Sequence, residues 1–236
     1  MPFRSASVVR FHFGGYNAGT ATTSIGVRFA IDAYDPTALT DVAERVLAGI
    51  RSGEVRWAGL FMTDARAFNI GNTLIGSGTH VFSVYVGTAA GDPGYVGTAF
   101  LLAKPNTFPI KDLVREEASF GMDGTMQTGS LLYTQTSGTG GGTGTAIDFG
   151  AATTGTLSNY VHCFTLNTGT LNVIFESATT ATGIFTAHAT ANWLSADVPT
   201  GTILTSTSTI NRWLRFRFTN TVASGTFDLA AGAART

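Results

Sequence analysis

Thr134 to Thr145 reads TQTSGTGGGTGT, a stretch with no charge and no apolar side chain, and with three consecutive glycines at 140–142. Such a run offers no hydrophobic face to a helix or sheet, and its glycines lose the most backbone entropy on ordering. It reads as the joint of the chain, a linker over 134–145 between residues 1–133 and residues 146–236. The competing reading is a long hairpin loop inside one domain. Loops of this length without structure are uncommon in compact domains, which favours the joint.

The composition narrows the class. A chain of 236 residues holds one or two domains. Cys163 is the single cysteine, so no intrachain disulfide or cysteine-based zinc site can form. The net charge of −1 excludes a binder held by many phosphate contacts. Only 12 % of residues are charged, against about 25 % in ordinary soluble domains. After residue 145 the acids are Asp148, Glu176, Asp197 and Asp228, and the bases are Arg212, Arg215, Arg217 and Arg235. Thr, Ser, Ala and Gly therefore make most of that surface, which suits permanent contact with neighbours. No apolar run matches a signal peptide or a membrane-spanning helix, so the expectation is a protein used without a membrane and without secretion.

In the first half, Val8–Phe13 alternates, with Phe11 and Phe13 on one face and Arg10 and His12 on the other. Ile25–Ile31 alternates likewise, with Arg28 and Asp32 outward. Asp35-Pro36 is a cap followed by a first-turn proline, and Leu39, Val42, Val46 and Ile50 form one stripe, so the pattern predicts a helix over 36–51. Glu54–Met62 returns to strand, with Val55 and Trp57 opposite Glu54 and Arg56. Thr63–Gly78 reads as a long arm or loose hairpin. His80–Val86 and Tyr95–Ala103 are strands joined by the turn GTAAGDPG, and Ile110–Gly121 is a further strand. The fold class is mainly β, a small sandwich or barrel with one packed helix.

The second half has short apolar runs bounded by Gly, Thr, Ser and Asn, the pattern of a β-sandwich, Ig-like or jelly-roll. Asn167–Thr170 reads NTGT, a tight hairpin signal. In Ile210–Phe218, Leu214, Phe216 and Phe218 point one way and Trp213, Arg215 and Arg217 the other. That second row is a candidate outer platform for a ligand or a neighbour.

For catalysis the sequence offers little. His12, His80, His162 and His188 each lie in an expected strand without metal-ligand spacing. The adjacent pairs His162–Cys163 and Glu116–Glu117 must split across two faces. No GxSxG, P-loop or HExxH is present. The expectation is no catalytic residue, no metal, no cofactor and no enzyme.

The order of these features resembles a family. DPTALTDVAERVLAGI at 35–50, then GTAIDFGAATTG at 144–155, YVHCFTLNTGTLNVIFESA at 160–178 and NRWLRFRFTNTVASGTFDLAAG at 211–232 are similar to long-tailed (siphovirus-type) phage tail tube proteins carrying an appended C-terminal β-sandwich. The resemblance implies a virion structural protein, assembled in the host cytoplasm. Its hexameric or pseudo-hexameric rings stack into a hollow tube through which DNA passes without specific binding. It implies tape-measure and terminator proteins as tail partners and no membrane. Arg10, His12, Arg28, Asp32, Glu54 and Arg56 would then be lumen-facing candidates. Two other classes stay open: a carbohydrate-binding or adhesion module on Trp213, Arg215 and Arg217, and a capsid decoration protein.

Overall fold

A computed structural model describes residues 9–19, 22–34, 47–60, 78–103, 106–107, 115–124 and 126–235. The first strands are β1 (Val9–Phe13), β2 (Tyr16–Asn17), β3 (Thr22–Tyr34), β4 (Leu47–Leu60), β5 (His80–Val86) and β6 (Pro93–Ala103). Then come β7 (Asn106–Thr107), β8 (Arg115–Met122), β9 (Gln127–Thr139), β10 (Gly141–Thr143) and β11 (Ile147–Asp148). The chain finishes with β12 (Leu157–Leu166), β13 (Thr170–Ala178), β14 (Thr186–Leu194), β15 (Thr200–Ser206), β16 (Trp213–Asn220) and β17 (Thr226–Arg235). A 3-10 turn at Ser195–Asp197 precedes β15.

These strands make two antiparallel sheets. The larger runs β15-β12-β17-β9-β6-β5-β1-β2, with β8, β4 and β3 branching from β6 and β7 pairing β8. The smaller runs β10-β16-β13-β14, with β11 also on β16. Alternation distributes the apolar residues over three cores. Phe11, Phe13, Val55, Trp57, Phe82 and Phe120 fill the first lobe, under β3, β4 and β8. Leu132, Val161, Val173, Phe175, Phe216 and Phe227 fill the second, between the two sheets. Val81, Tyr85, Val96, Leu131, Tyr160 and Ala234 form a third, drawn from both halves of the chain.

The structure revises three expectations. Among the described residues there is no α-helix. Residues 35–46 of the expected helix lie outside the described residues, but Leu47 to Arg51 belong to β4, with Leu47 opposite Tyr34 and Arg51 opposite Ile31. Cross-strand pairing with β3 overrides the helical spacing there.

The Gly/Thr joint is strand for most of its length. β9 pairs through Thr139 with β17, and Gly141–Thr143 pairs with β16. A break in register at Phe227/Leu229 absorbs its irregular sequence. Ser137 there takes a positive φ of 52°, and its N–H donates to the Asp228 carboxylate at 2.6 Å. Because β17 is the last strand and β9 the ninth, the halves share one ladder and are not tethered by a loose linker.

NTGT is not a hairpin. β12 and β13 lie in different sheets, and Asn167 is the crossing point. Its backbone N–H donates to the Thr226 carbonyl at 3.0 Å, and its side-chain oxygen accepts from the Thr226 N–H at 2.7 Å.

Candidate assembly surface

β3 and β4 form a long antiparallel hairpin whose base is well anchored. Trp57 is buried, and its indole N–H donates to Thr22 Oγ1 at 2.7 Å, while the Thr22 hydroxyl donates to the Ala18 carbonyl at 2.7 Å. β8 supports β4 only over Glu54–Leu60. Beyond Glu54, β4 and β3 continue as a pair to Leu47 and Tyr34, with no third strand among the described residues. At about 3.3 Å per residue the unsupported arm is roughly 20 Å long. Two strands alone are marginal in water. The outer edge of β3, thirteen residues long, has no strand partner among the described residues. Long bare edges are what proteins normally shield.

The solvent face of this sheet is partly charged and partly apolar. The register sets Arg28 opposite Glu54, and Arg56 opposite Gly26 and Ser119. Arg56 Nε donates to Glu54 Oε1 at 2.8 Å, and this bond holds the Glu54 carboxyl below its usual range. On the same face Phe100 and Leu102 lie across Gly121, 39 % and 56 % exposed. Phe29 stands 52 % exposed at the start of the arm, its ring 5.4 Å from that of Tyr95. Phe100 and Leu102 share the face of Glu54, where alternation in a monomer would place polar residues, while Phe29 lies on the other face, in the row of Ile25 and Val27.

The lumen candidates therefore divide. Arg28, Glu54 and Arg56 share one exposed face. Asp32 lies on β3, in the arm. Arg10 and His12 do not join them. His12 is fully buried, facing Ser83 and His162 on the opposite side of β1 from Phe11 and Phe13. Strand alternation places it away from Phe11 correctly; what lies on that side is the second half of the chain and not solvent.

The platform row is one face, as alternation requires, but its cations are engaged. Glu176, buried on β13, accepts from Arg215 Nε and Arg217 Nε, each at 2.8 Å. The Arg215 guanidinium also lies 3.8 Å from the Phe185 ring centroid. Next to Trp213, Arg212 donates through Nε and Nη2 to both Asp148 oxygens, and that pairing, with the Gly150 N–H, lowers the Asp148 pKa to about 2. Arg235 donates to the carbonyls of Phe149, Ala151 and Asn211.

Solved structures similar to this chain include a particle tail, a tail tube and a hub protein. The tail of an empty GTA particle with C6 symmetry is 17 % identical with a TM-score of 0.42, over 53 % of this chain and 97 % of that one. The SPP1 tail tube is 12 % identical with a TM-score of 0.43, over 54 % of this chain and 78 % of that one. The SPP1 Dit protein, described as a hub adsorption apparatus, is 7 % identical with a TM-score of 0.42, over 98 % of this chain and 100 % of that one. No family model matches the sequence, and no curated protein does.

The remaining chemistry-bearing side chains are structural in setting. Cys163 is buried in the second-lobe core, and burial pushes its thiol up to about 12. His188 bonds through its two ring nitrogens to Ser177 Oγ at 2.6 Å and Ser208 Oγ at 2.9 Å. Among the described residues no three His, Cys, Asp or Glu side chains converge as metal ligands, and no helix is long and apolar enough to cross a membrane. The exposed Phe29, Phe100 and Leu102 were not singled out from sequence. No pattern marks them: Phe29 falls in the inward row of Ile25 and Val27, and Phe100 and Leu102 lie in an unbroken apolar run.

Proposed function

We propose that the chain is a structural subunit of a phage-type tail, assembling with copies of itself into stacked hexameric or pseudo-hexameric rings around a DNA-conducting lumen. The observation that carries this reading is the β3–β4 hairpin, a two-stranded arm with a bare thirteen-residue edge. Neighbouring copies would supply the missing strands and cover Phe29, Phe100 and Leu102.

Arg28, Glu54 and Arg56 are mixed in sign, which suits a lining that lets DNA slide without tight phosphate binding. Residues 1–133 thus provide the assembling surface, and the second half is carried on the outside as a rigid part of the same sheet. Tape-measure and terminator proteins would be the tail partners, and the virion the destination. The engaged arginines around Glu176 favour this structural role over a glycan platform, and the bonded histidines and high-pKa thiol favour it over catalysis.

The test is negative-stain microscopy of purified full-length protein beside Phe29→Asp. Rings or tubes from the parent, and folded monomers from the variant, are the expected outcome. Assembly untouched by Phe29→Asp would move the contact elsewhere, and a parent monomeric at every concentration would reject the ring reading.

A further inference from the structure

The third core closes by side chains alone on one side. On its far side the halves are joined by continuous ladders, β17 to β9 and β9 to β6. On the near side β12 and β15 lie against β1, β2 and β5 with no ladder between them among the described residues. What crosses this seam is a polar chain. His12 Nδ1 on β1 and Ser83 Oγ on β5 are 3.1 Å apart, and Ser83 Oγ and His162 Nε2 on β12 are 3.0 Å apart. Both rings are buried and their centroids lie 5.4 Å apart.

The second nitrogen of each ring, His12 Nε2 and His162 Nδ1, is buried with no acceptor or donor facing it. The backbones approach closely beside the chain. A Cβ at Gly15, whose φ is +85°, would come within 2.2 Å of the Thr200 nitrogen. A cleft of about 420 Å³ leads to the seam from solvent, bounded by Gly14, Tyr16 and His80 on one side and by Asp197, Thr200 and Gly201 on the other.

We propose that this seam is an acid-released latch: His12, Ser83 and His162 hold the two lobes shut, β9 is the hinge, and protonating the histidines lets the lobes part with each outer core intact. Protonating both rings would leave a buried N–H at His12 Nε2 and at His162 Nδ1 with no acceptor, and would set two cations 5.4 Å apart in a buried seam. Of the other described groups around the latch, Arg10 opposes charging it and the carboxylate at the cleft mouth, Asp197, is the one anion. Arg10 on β1 is a cation, Tyr85 on β5 and Tyr160 on β12 are neutral phenols, β15 contributes Thr200 and Gly201, and His80 and Asp197 stand at the cleft mouth.

Burial holds His162 at about 3, and burial together with His162 and Arg10 holds His12 well below 6.5. Both depressed values penalise the closed form as pH falls below the open-state value of about 6.5. At pH 4.5 the open-to-closed ratio rises about 100-fold through His162 alone relative to neutral pH, and His12 acts in the same direction.

The test uses the full chain carrying spin labels at Glu117→Cys and Thr219→Cys, one exposed site on each lobe. Distances are read at pH 7.5 and 4.5, with Cys163 reactivity toward a pyridyl disulfide as the monitor of the second-lobe core. Reversible widening at pH 4.5 with Cys163 protected is expected, as is loss of that widening in His12→Gln/His162→Gln. Ser83→Ala should widen the distribution already at pH 7.5. Unchanged distances at pH 4.5 in the parent would overturn the latch. So would widening only together with Cys163 exposure, or widening undiminished in the glutamine variant. Should the glutamine variant not fold, the parent's two readouts decide.

Discussion

The lobe under β3, β4 and β8 and the lobe closed by the smaller sheet are built from the same alternating strands, yet they end differently at their surfaces. In the second, every one of the four acids and four arginines after residue 145 is bonded inside the chain. Asp148 holds Arg212, Glu176 holds Arg215 and Arg217, Arg235 caps three carbonyls, Asp197 accepts from the Leu194 N–H and Asp228 from the Ser137 N–H. Its exposed apolar residues, Ile184, Leu194 and Val222, sit in turns or at a strand end. The first lobe leaves Arg28 exposed, sets Phe100 and Leu102 side by side on the sheet face over Gly121, and extends a two-stranded arm past its third strand. A sheet finished within one chain has its charges internally paired; a sheet finished by a neighbour keeps a bare edge and an apolar face.

The largest expected effects lie where the lobes are alike. Phe120→Ala in the first core and Phe216→Ala in the second remove rings that are 1 % and 0 % exposed, and each should cost about 3–5 kcal/mol. Because β9 and β17 serve both halves, calorimetry should show one transition that either variant lowers. Two separated transitions would mean the shared ladder does not couple them.

Smaller effects separate the lobes. Glu176→Ala should cost about 1–3 kcal/mol in denaturant titration, because it leaves two half-exposed arginines beside a vacated buried site. Arg56→Ala, removing one end of a solvent-screened surface pair, should leave the denaturation midpoint essentially unmoved. Equal losses would erase the contrast between finished and open surface.

The smallest effect is a pH slope. Asp148 titrates near 2 when folded against an ordinary 3.8. Its contribution is therefore complete above about 3.8 and disappears as pH falls through about 2. Asp148→Asn should flatten the stability curve in that window, and an unchanged acid limb would show that the pair with Arg212 is inconsequential.

Much of this was legible in sequence. Phe11/Phe13, Val55/Trp57 and Leu214/Phe216/Phe218 are buried as their period of two requires, and Cys163 and His162 split across faces. β9 is hidden in the sequence because eight of its thirteen residues are Gly, Thr and Ser, which make a strand here only because β17 offers a ladder. Leu47 and Ile50 satisfy a helical spacing and not a strand one, and only pairing with β3 makes the segment a strand. NTGT misled because a turn signal marks a reversal and says nothing about which sheet receives the next strand. His12 was sited on the correct face, but periodicity could not disclose that β12 and β15 cover it. Nor could it reveal the arm, whose signature is the length of pairing beyond β8.

Ring assembly through the arm requires β3 to be the edge that other copies complete. Hydrogen exchange resolved to single amides, on dilute protein and on protein concentrated until rings form, is the decisive measurement. Outward β3 amides between Thr22 and Tyr34 should become slow only in the concentrated sample, while those of β14, the edge of the smaller sheet, stay unchanged. Protection gained on β14 with β3 still exchanging freely would contradict it.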